Sequence, residues 1–391
     1  MQLTHGHHLA YCTNIHRGET WEEVQHALAT HALAVRDRVA EGRPFGLGLR
    51  LGATAARELG EGKTLVQFQR WLERENCYVF TVNGFPYGRF HGGRVKEQVY
   101  RPDWATAERM EYTKHLFDLM AQLVPPGGEG SVSTLPISFK GFDWTPLERE
   151  ATRRHLLECA AHIEKLARES GRDLHLGLEP EPLCTLETSE ELIAFLAEFD
   201  DDFRRVVGMN YDCCHLAIEF EEPGDALARL AAAGVRISKF HLSSALRLHP
   251  SAEALARLRE FDEETYLHQV VVRPGDGGPL RRHIDLPDAL LAAAEGREAL
   301  SPSAGGAPDE WRVHFHVPVH AHPDMLFRDT RDHVSGVLDR LAEAPETCRH
   351  LEIETYTWAV LPPALRQADV TDQIAAEYAW VLGEMRQRGL A

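Results

Sequence analysis

Glu179, Asp212, His241 and Glu354 each close a short apolar run, in LGLEPEP, MNYDCCH, SKFHLS and LEIETY. A carboxylate placed after buried apolar residues costs free energy unless a cation or hydrogen-bond donors compensate it. Three carboxylates and one imidazole brought together form a donor set for a divalent metal. Mn2+ suits the oxygen-rich set best, with Mg2+, Co2+ and Zn2+ as alternatives. Singly, each residue has an ordinary alternative: a helix cap, an arginine partner, or a core histidine with its hydrogen bonds satisfied. The recurrence at four run ends selects the metal reading. His215 lies three residues beyond Asp212, and Arg247 six beyond His241. Beside a metal, such a His and Arg would hold and polarise the oxygens of a hydroxycarbonyl substrate.

The segment VHFHVPVHAH adds His314 and His316, which face the same way if a strand runs through them. His320 and His322 repeat the spacing. His314 and His316 are candidates for a metal or for a polar pocket lining. His5, His7 and His8 read as exposed chain-end residues. There is no Walker loop, no GxGxxG after a strand and no GxSxG, so nucleotide-cofactor and serine-hydrolase chemistry lack support.

Short apolar runs alternating with amphipathic helices must position these side chains. Strands are expected at 9–15, 45–51, 78–82, 132–139, 174–179, 206–212, 237–242, 313–319 and 351–356. Nearly continuous apolar runs suit parallel strands buried on both faces. Thr20 with Glu23, Thr145-Pro146 with Glu148, and Thr188 with Glu191 have capping-box spacing. Gly171 and Gly234 can end helices. The alternation predicts an α/β fold, a (β/α)8 TIM barrel of one domain spanning 1–391. An open doubly wound sheet is the alternative. Nine runs exceed the eight strands of a barrel, so 313–319 is read as part of a long insertion, at about 246–345, before the last strand. That stretch also holds the loops Arg273–Arg282 and Ser301–Asp309. In a barrel the C-terminal strand ends share one mouth, which would gather the four metal-ligand candidates.

Acids outnumber bases 60 to 42, for a formal net charge of -18. Such a surface repels phosphate backbones and anionic lipids, so neither nucleic acid nor membrane insertion is expected. A small-molecule metabolite is the expected partner, and a homo-oligomer is compatible with the composition. Seven cysteines without CxxC spacing, and no apolar leader or run of about 18 residues, predict a reduced, cytoplasmic protein.

The four strand-end residues resemble those of the xylose-isomerase-like TIM-barrel superfamily, which includes sugar epimerases and endonuclease IV. The resemblance implies one metal held by Glu179, Asp212, His241 and Glu354, with His215 and Arg247 on the substrate. A closer resemblance, to the EboE family of metabolite-traffic proteins, rests on LAYCTNIHRGETWEE, NGFPYGRFHGGRVKEQVYRPDW, YLHQVVVRPG, HFHVPV and LEIETYTWAVLP. It implies a place in secondary-metabolite synthesis or traffic and names no reaction. Together these give an expected metal-dependent isomerase or epimerase of sugar-like or cyclitol-like compounds, with Glu179 and Glu354 as the acid–base pair. The long insertion opens an alternative that the endonuclease IV resemblance implies, a phosphoester hydrolase whose extra metal ligands would be His314 and His316 with His91 from the loop after the third strand; a metabolite-binding barrel without turnover is a further alternative.

Overall fold

A computed structural model describes residues 1–300, 307–321, 325–366 and 369–391. His322 and most of the 301–309 loop lie outside the described residues. Eight parallel strands form the main sheet: β1 (His8–Tyr11), β2 (Phe45–Arg50), β3 (Cys77–Asn83), β4 (Glu129–Thr134), β5 (Asp173–Leu178), β6 (Val207–Asp212), β7 (Ile237–Leu242) and β13 (His350–Ile353). Their order is β1-β13-β7-β6-β5-β4-β3-β2, and a parallel bridge between Cys12 and Gly48 joins the two outer strands. The result is a nearly closed barrel with helices around it.

The expected capping boxes form at Thr20/Glu23, Thr145/Glu148 and Thr188/Glu191. Each satisfies amide donors that a helix start would otherwise leave unpaired. Gly171 ends helix Pro146–Ser170 in the left-handed region, at φ 67°. A π-helical turn, Leu28–Ala32, joins helices Trp21–Ala27 and Leu33–Val39.

The ninth run enters a second sheet only at Val313. Strands β8 (Leu246–Leu248), β9 (Val270–Arg273), β10 (Arg281–His283), β11 (Glu310–Val313) and β12 (Arg328–Asp329) pair antiparallel in the order β10-β9-β11-β8-β12. They lie in the chain between β7 and β13, and their apolar side chains form a separate cluster around Leu246, Val270, Trp311 and Phe315. The expected strand at 313–319 is corrected: β11 stops at Val313, where the chain leaves the ladder. The Val317 amide instead donates to the Ser244 carbonyl at 2.9 Å.

Side chains inside the barrel follow the two-residue period of a strand. His350, Glu352 and Glu354 climb one wall, Lys239 and His241 a second, and His175 and Glu179 a third, with Gly177 between them. All seven of these histidines, acids and the lysine are buried. Asp212, His241 and Glu352 share one register row across β6, β7 and β13. The barrel interior is therefore polar and layered, and apolar packing lies between the strands and the helices outside.

Candidate metal centre and active site

Glu179, Asp212, His241 and Glu354 meet at the C-terminal mouth, with one ligand atom of each within 4.8 Å of the others. All four are at most 4% exposed. Three carboxylates surround one ring nitrogen: His241 Nδ1 lies 3.0 Å from Glu179 Oε1, 3.2 Å from Glu354 Oε2 and 3.3 Å from Asp212 Oδ2. A ring nitrogen carries at most one proton, so it can compensate one of the three. Glu179 Oε2 is buried with no hydrogen-bond partner among the described residues. This surplus of negative charge, with an imidazole among the donors, fits a divalent cation.

The surroundings orient the donors. Ser243 Oγ and the His215 amide donate to Asp212 Oδ1 at 2.8 and 2.9 Å. Asn14 and Asn83 donate to Glu354 Oε1 at 2.8 and 2.9 Å. Glu352 Oε2 accepts from His241 Nε2 at 2.9 Å and from Lys239 Nζ at 2.5 Å, and neither Glu352 nor Lys239 is exposed. A carboxylate on the far nitrogen of a ligating histidine fixes the ring and raises its basicity. Gly48 makes room for Glu352: a Cβ there would sit 1.9 Å from Glu352 Oε1.

The charges are strongly coupled. Burial opposes protonation of His241, yet Glu354 and Glu179 raise its pKa well above the usual imidazole range. Burial would raise Asp212, but His215 and His241 hold it well below the usual carboxylate range. Burial would lower Lys239, and Glu352 raises it instead. Burial brings Glu181 up to about 7.

Above the four donors opens a narrow cleft. Glu179 and Glu354 line it, together with Asn14, Asn83, Glu181 and His215; Asp212 and His241 do not. Phe85, Phe90, Val99, Tyr266, Leu267 and Tyr356 form its apolar walls. The loop after β3 is tied to the segment before β9 through the Val95 and Lys96 amides, which donate to the Thr265 carbonyl at 2.8 and 2.9 Å. Lys96, on that loop, pairs with Asp285 at 2.6 Å.

The other sequence candidates divide. His215 reaches the cleft; its Nε2 lies 3.1 Å from His314 Nε2. His314 and His316 both reach the same region although no strand carries them there. Asp212–His215–His316 and Glu181–His215–His314 are each spaced closely enough to share a cation. Arg247 is not brought to the cleft. It sits on β8, pairs with Asp332 at 3.0 Å, and borders a different depression with Leu248, His249 and Arg328. The physical reason is that the chain enters the second sheet directly after β7. His91 supports the wall: its ring nitrogens bond the Asn14 carbonyl at 2.6 Å and the Tyr266 hydroxyl at 2.5 Å. Among the described residues it joins none of the potential metal clusters. His7 and His8 are also corrected, since His7 is fully buried and His8 begins β1.

Sequence reasoning missed Asn14, Asn83, Glu181, Lys239 and Glu352. Asn14 and Asn83 follow or end β1 and β3, so the strand-end criterion applied there would have found them. Lys239 and Glu352 stand two residues before His241 and Glu354, which is the signal for the same inward face.

No family model and no curated protein sequence matches the chain. A structure of an L-ribulose 3-epimerase is similar over 99% of this chain and 96% of its own, at 12% identity and a TM-score of 0.51. The fold is that of a xylose-isomerase-like TIM barrel. Also similar are a probable 3-DHS dehydratase of petrobactin synthesis from Bacillus anthracis, at 14% identity, 96% and 98% coverage and a TM-score of 0.48. A xylose isomerase domain protein from Alicyclobacillus acidocaldarius matches at 13% identity, 97% and 99% coverage and a TM-score of 0.44. No helix among the described residues is long and apolar enough to cross a membrane, and all seven cysteines are buried free thiols.

Proposed function

We propose that this protein is a metal-dependent isomerase or epimerase of a sugar-like or cyclitol-like hydroxycarbonyl. The observation that carries the reading is the division of labour in the donor set: Glu179 and Glu354 face the cleft, whereas Asp212 and His241 lie beneath it. A bound divalent ion, with Mn2+ the best match to the donors, would polarise adjacent substrate oxygens. Glu179 or Glu354 removes the proton from the carbon next to the carbonyl, and the other glutamate returns one from the opposite side. Asn14 and Asn83 hold Glu354 in place by bonding one oxygen and leaving the other directed inward. His215 binds a substrate oxygen, and the apolar walls exclude water from the carbanionic stage. The epimerase among the structural neighbours shares this barrel. The reading includes a cytoplasmic role in secondary-metabolite synthesis or traffic, of the EboE kind, in a single-domain chain.

The test is incubation in D2O with Mn2+ and pools of ketoses, inososes and valiolone-like cyclitols. A turned-over substrate gains deuterium at the reacting carbon. Glu354→Gln abolishes exchange while ligand binding persists, because its amide can still accept from Asn14 and Asn83 but cannot act as base. Full-rate turnover in both Glu179→Gln and Glu354→Gln would sink the acid–base pair; binding without any turnover favours a metabolite-binding barrel.

A second reading, phosphoester hydrolysis, is favoured by one observation: the Asp212–His215–His316 and Glu181–His215–His314 clusters adjoin the four-donor set. Two or three ions at the mouth suit in-line displacement. In that case His314→Gln/His316→Gln loses a whole equivalent of mouth-bound metal. Under the isomerase reading the double variant keeps its mouth ion and changes only ligand affinity.

A further inference from the structure

At the opposite, N-terminal end of the barrel, the inward ladders finish in a second group of potential ligands. Glu129 opens β4, His175 is the third residue of β5, and His350 opens β13. One ligand atom of each lies within 4.8 Å of the other two. The rings of His175 and His350 are stacked with centroids 5.6 Å apart, and His175 Nε2 lies 3.0 Å from Glu129 Oε1. Both histidines are fully buried, yet His175 Nδ1 and His350 Nε2 have no hydrogen-bond partner among the described residues. An unsatisfied buried polar atom costs about 1–3 kcal/mol, and His350 Nε2, whose Nδ1 is already held by Ser131, is left to take a ligand.

We propose that Glu129, His175 and His350 form a second divalent-metal site, selective for Zn2+, at the barrel floor. Two imidazoles and one carboxylate are a zinc donor set that leaves a fourth position for water. Burial keeps both imidazoles below their usual pKa, His350 well below it, so both are in the neutral, ligating form at neutral pH. The outer partners are in place. Ser131 Oγ lies 2.8 Å from His350 Nδ1 and bonds Thr81 Oγ1 at 2.8 Å. Arg236 donates to Glu129 Oε1 at 3.0 Å while anchored on Asp173 at 2.6 Å, which orients the carboxylate from its solvent side. A surface depression lined by His8, Tyr78, Phe80, Pro125 and Glu129 gives the ion access. His350 and Glu354 are four residues apart on one extended wall, roughly 13 Å, so this floor site is separate from the mouth. An ion here would cross-link β4, β5 and β13, strands that do not all neighbour one another in the sheet.

The test removes the mouth site first. Asp212→Asn/His241→Asn protein, checked for folding by circular dichroism, is titrated with Zn2+ and its metal content measured after gel filtration. One Zn2+ per chain is expected to remain. Adding His350→Asn, or separately Glu129→Gln, should weaken that Zn2+ at least tenfold. No Zn2+ in the folded background, or a retained Zn2+ indifferent to both substitutions, overturns the proposal. Should the background variant not fold, Zn2+-soaked wild-type crystals decide. An anomalous peak between His175 and His350 supports the site, and a map without one overturns it.

Discussion

Replacing Lys239 with Met isolates the electrostatics of the barrel interior. The Lys239–Glu352 contact is 2.5 Å, and both side chains are fully buried. At that distance an effective dielectric of about 20 gives a gross attraction of ~7 kcal/mol. Part of it offsets the desolvation of both charges, and Glu352 keeps its second partner, His241 Nε2, at 2.9 Å. Removing the lysine leaves an under-compensated carboxylate, so Lys239→Met should lose ~3–5 kcal/mol of unfolding free energy. The double variant Lys239→Met/Glu352→Met removes both charges and should recover most of that loss. It should also free the far nitrogen of His241 and weaken metal binding at the mouth by roughly 10–100-fold. Urea denaturation of metal-free protein at pH 7.5 and a parallel Mn2+ titration read the two quantities. A single variant within 1 kcal/mol of wild type, or a double variant no more stable than the single, would refute the reasoning.

Three further outcomes follow. Asp212→Ala and His241→Ala should each empty the mouth of Mn2+ under conditions where wild type holds one ion per chain, as measured by plasma mass spectrometry after dialysis. Arg247→Ala should leave ligand affinity unchanged and stability within ~0.5 kcal/mol, because its partner Asp332 is an exposed carboxylate outside the cleft; calorimetric titration and thermal melts check this. Glu377 is buried against Thr355 Oγ1 and the Val319 amide, and burial pushes its carboxyl up to about 7. The folded state then binds the proton more tightly than the unfolded chain, so stability from this group falls as pH rises from about 4.5 to 7. Glu377→Gln should lack that slope, gaining ~3 kcal/mol on wild type between pH 4.5 and 8 in denaturation curves.

The four-donor mouth was legible because buried strands tolerate an acid only where something compensates it. Glu179, Asp212, His241 and Glu354 each stand out against the apolar run before them. Lys239, Glu352, His175 and His350 were overlooked for the same reason in reverse. They sit within or at the start of runs whose neighbours are apolar, and only the alternation of faces reveals them. The barrel itself followed from alternating runs and caps, since those signals are local. Arg247 misled because spacing along the chain says nothing once the backbone changes sheet, as it does between Leu242 and Leu246. His314 reached the cleft, and His316 the donors beside it, by a route sequence periodicity could not give: the ladder ends at Val313, and long-range bonds to Gln269 and Ser244 steer the chain beyond it.

The metal-ligand candidates hang on barrel strands, whereas Tyr266, Leu267 and His314 reach the cleft from the stretch between β7 and β13. Changes confined to that stretch reshape the chamber without moving the register row of Asp212, His241 and Glu352. Reactivity and selectivity are thus inherited on different segments of one chain. Under selection, the second sheet is free to drift toward new molecules while the interior of the barrel stays fixed.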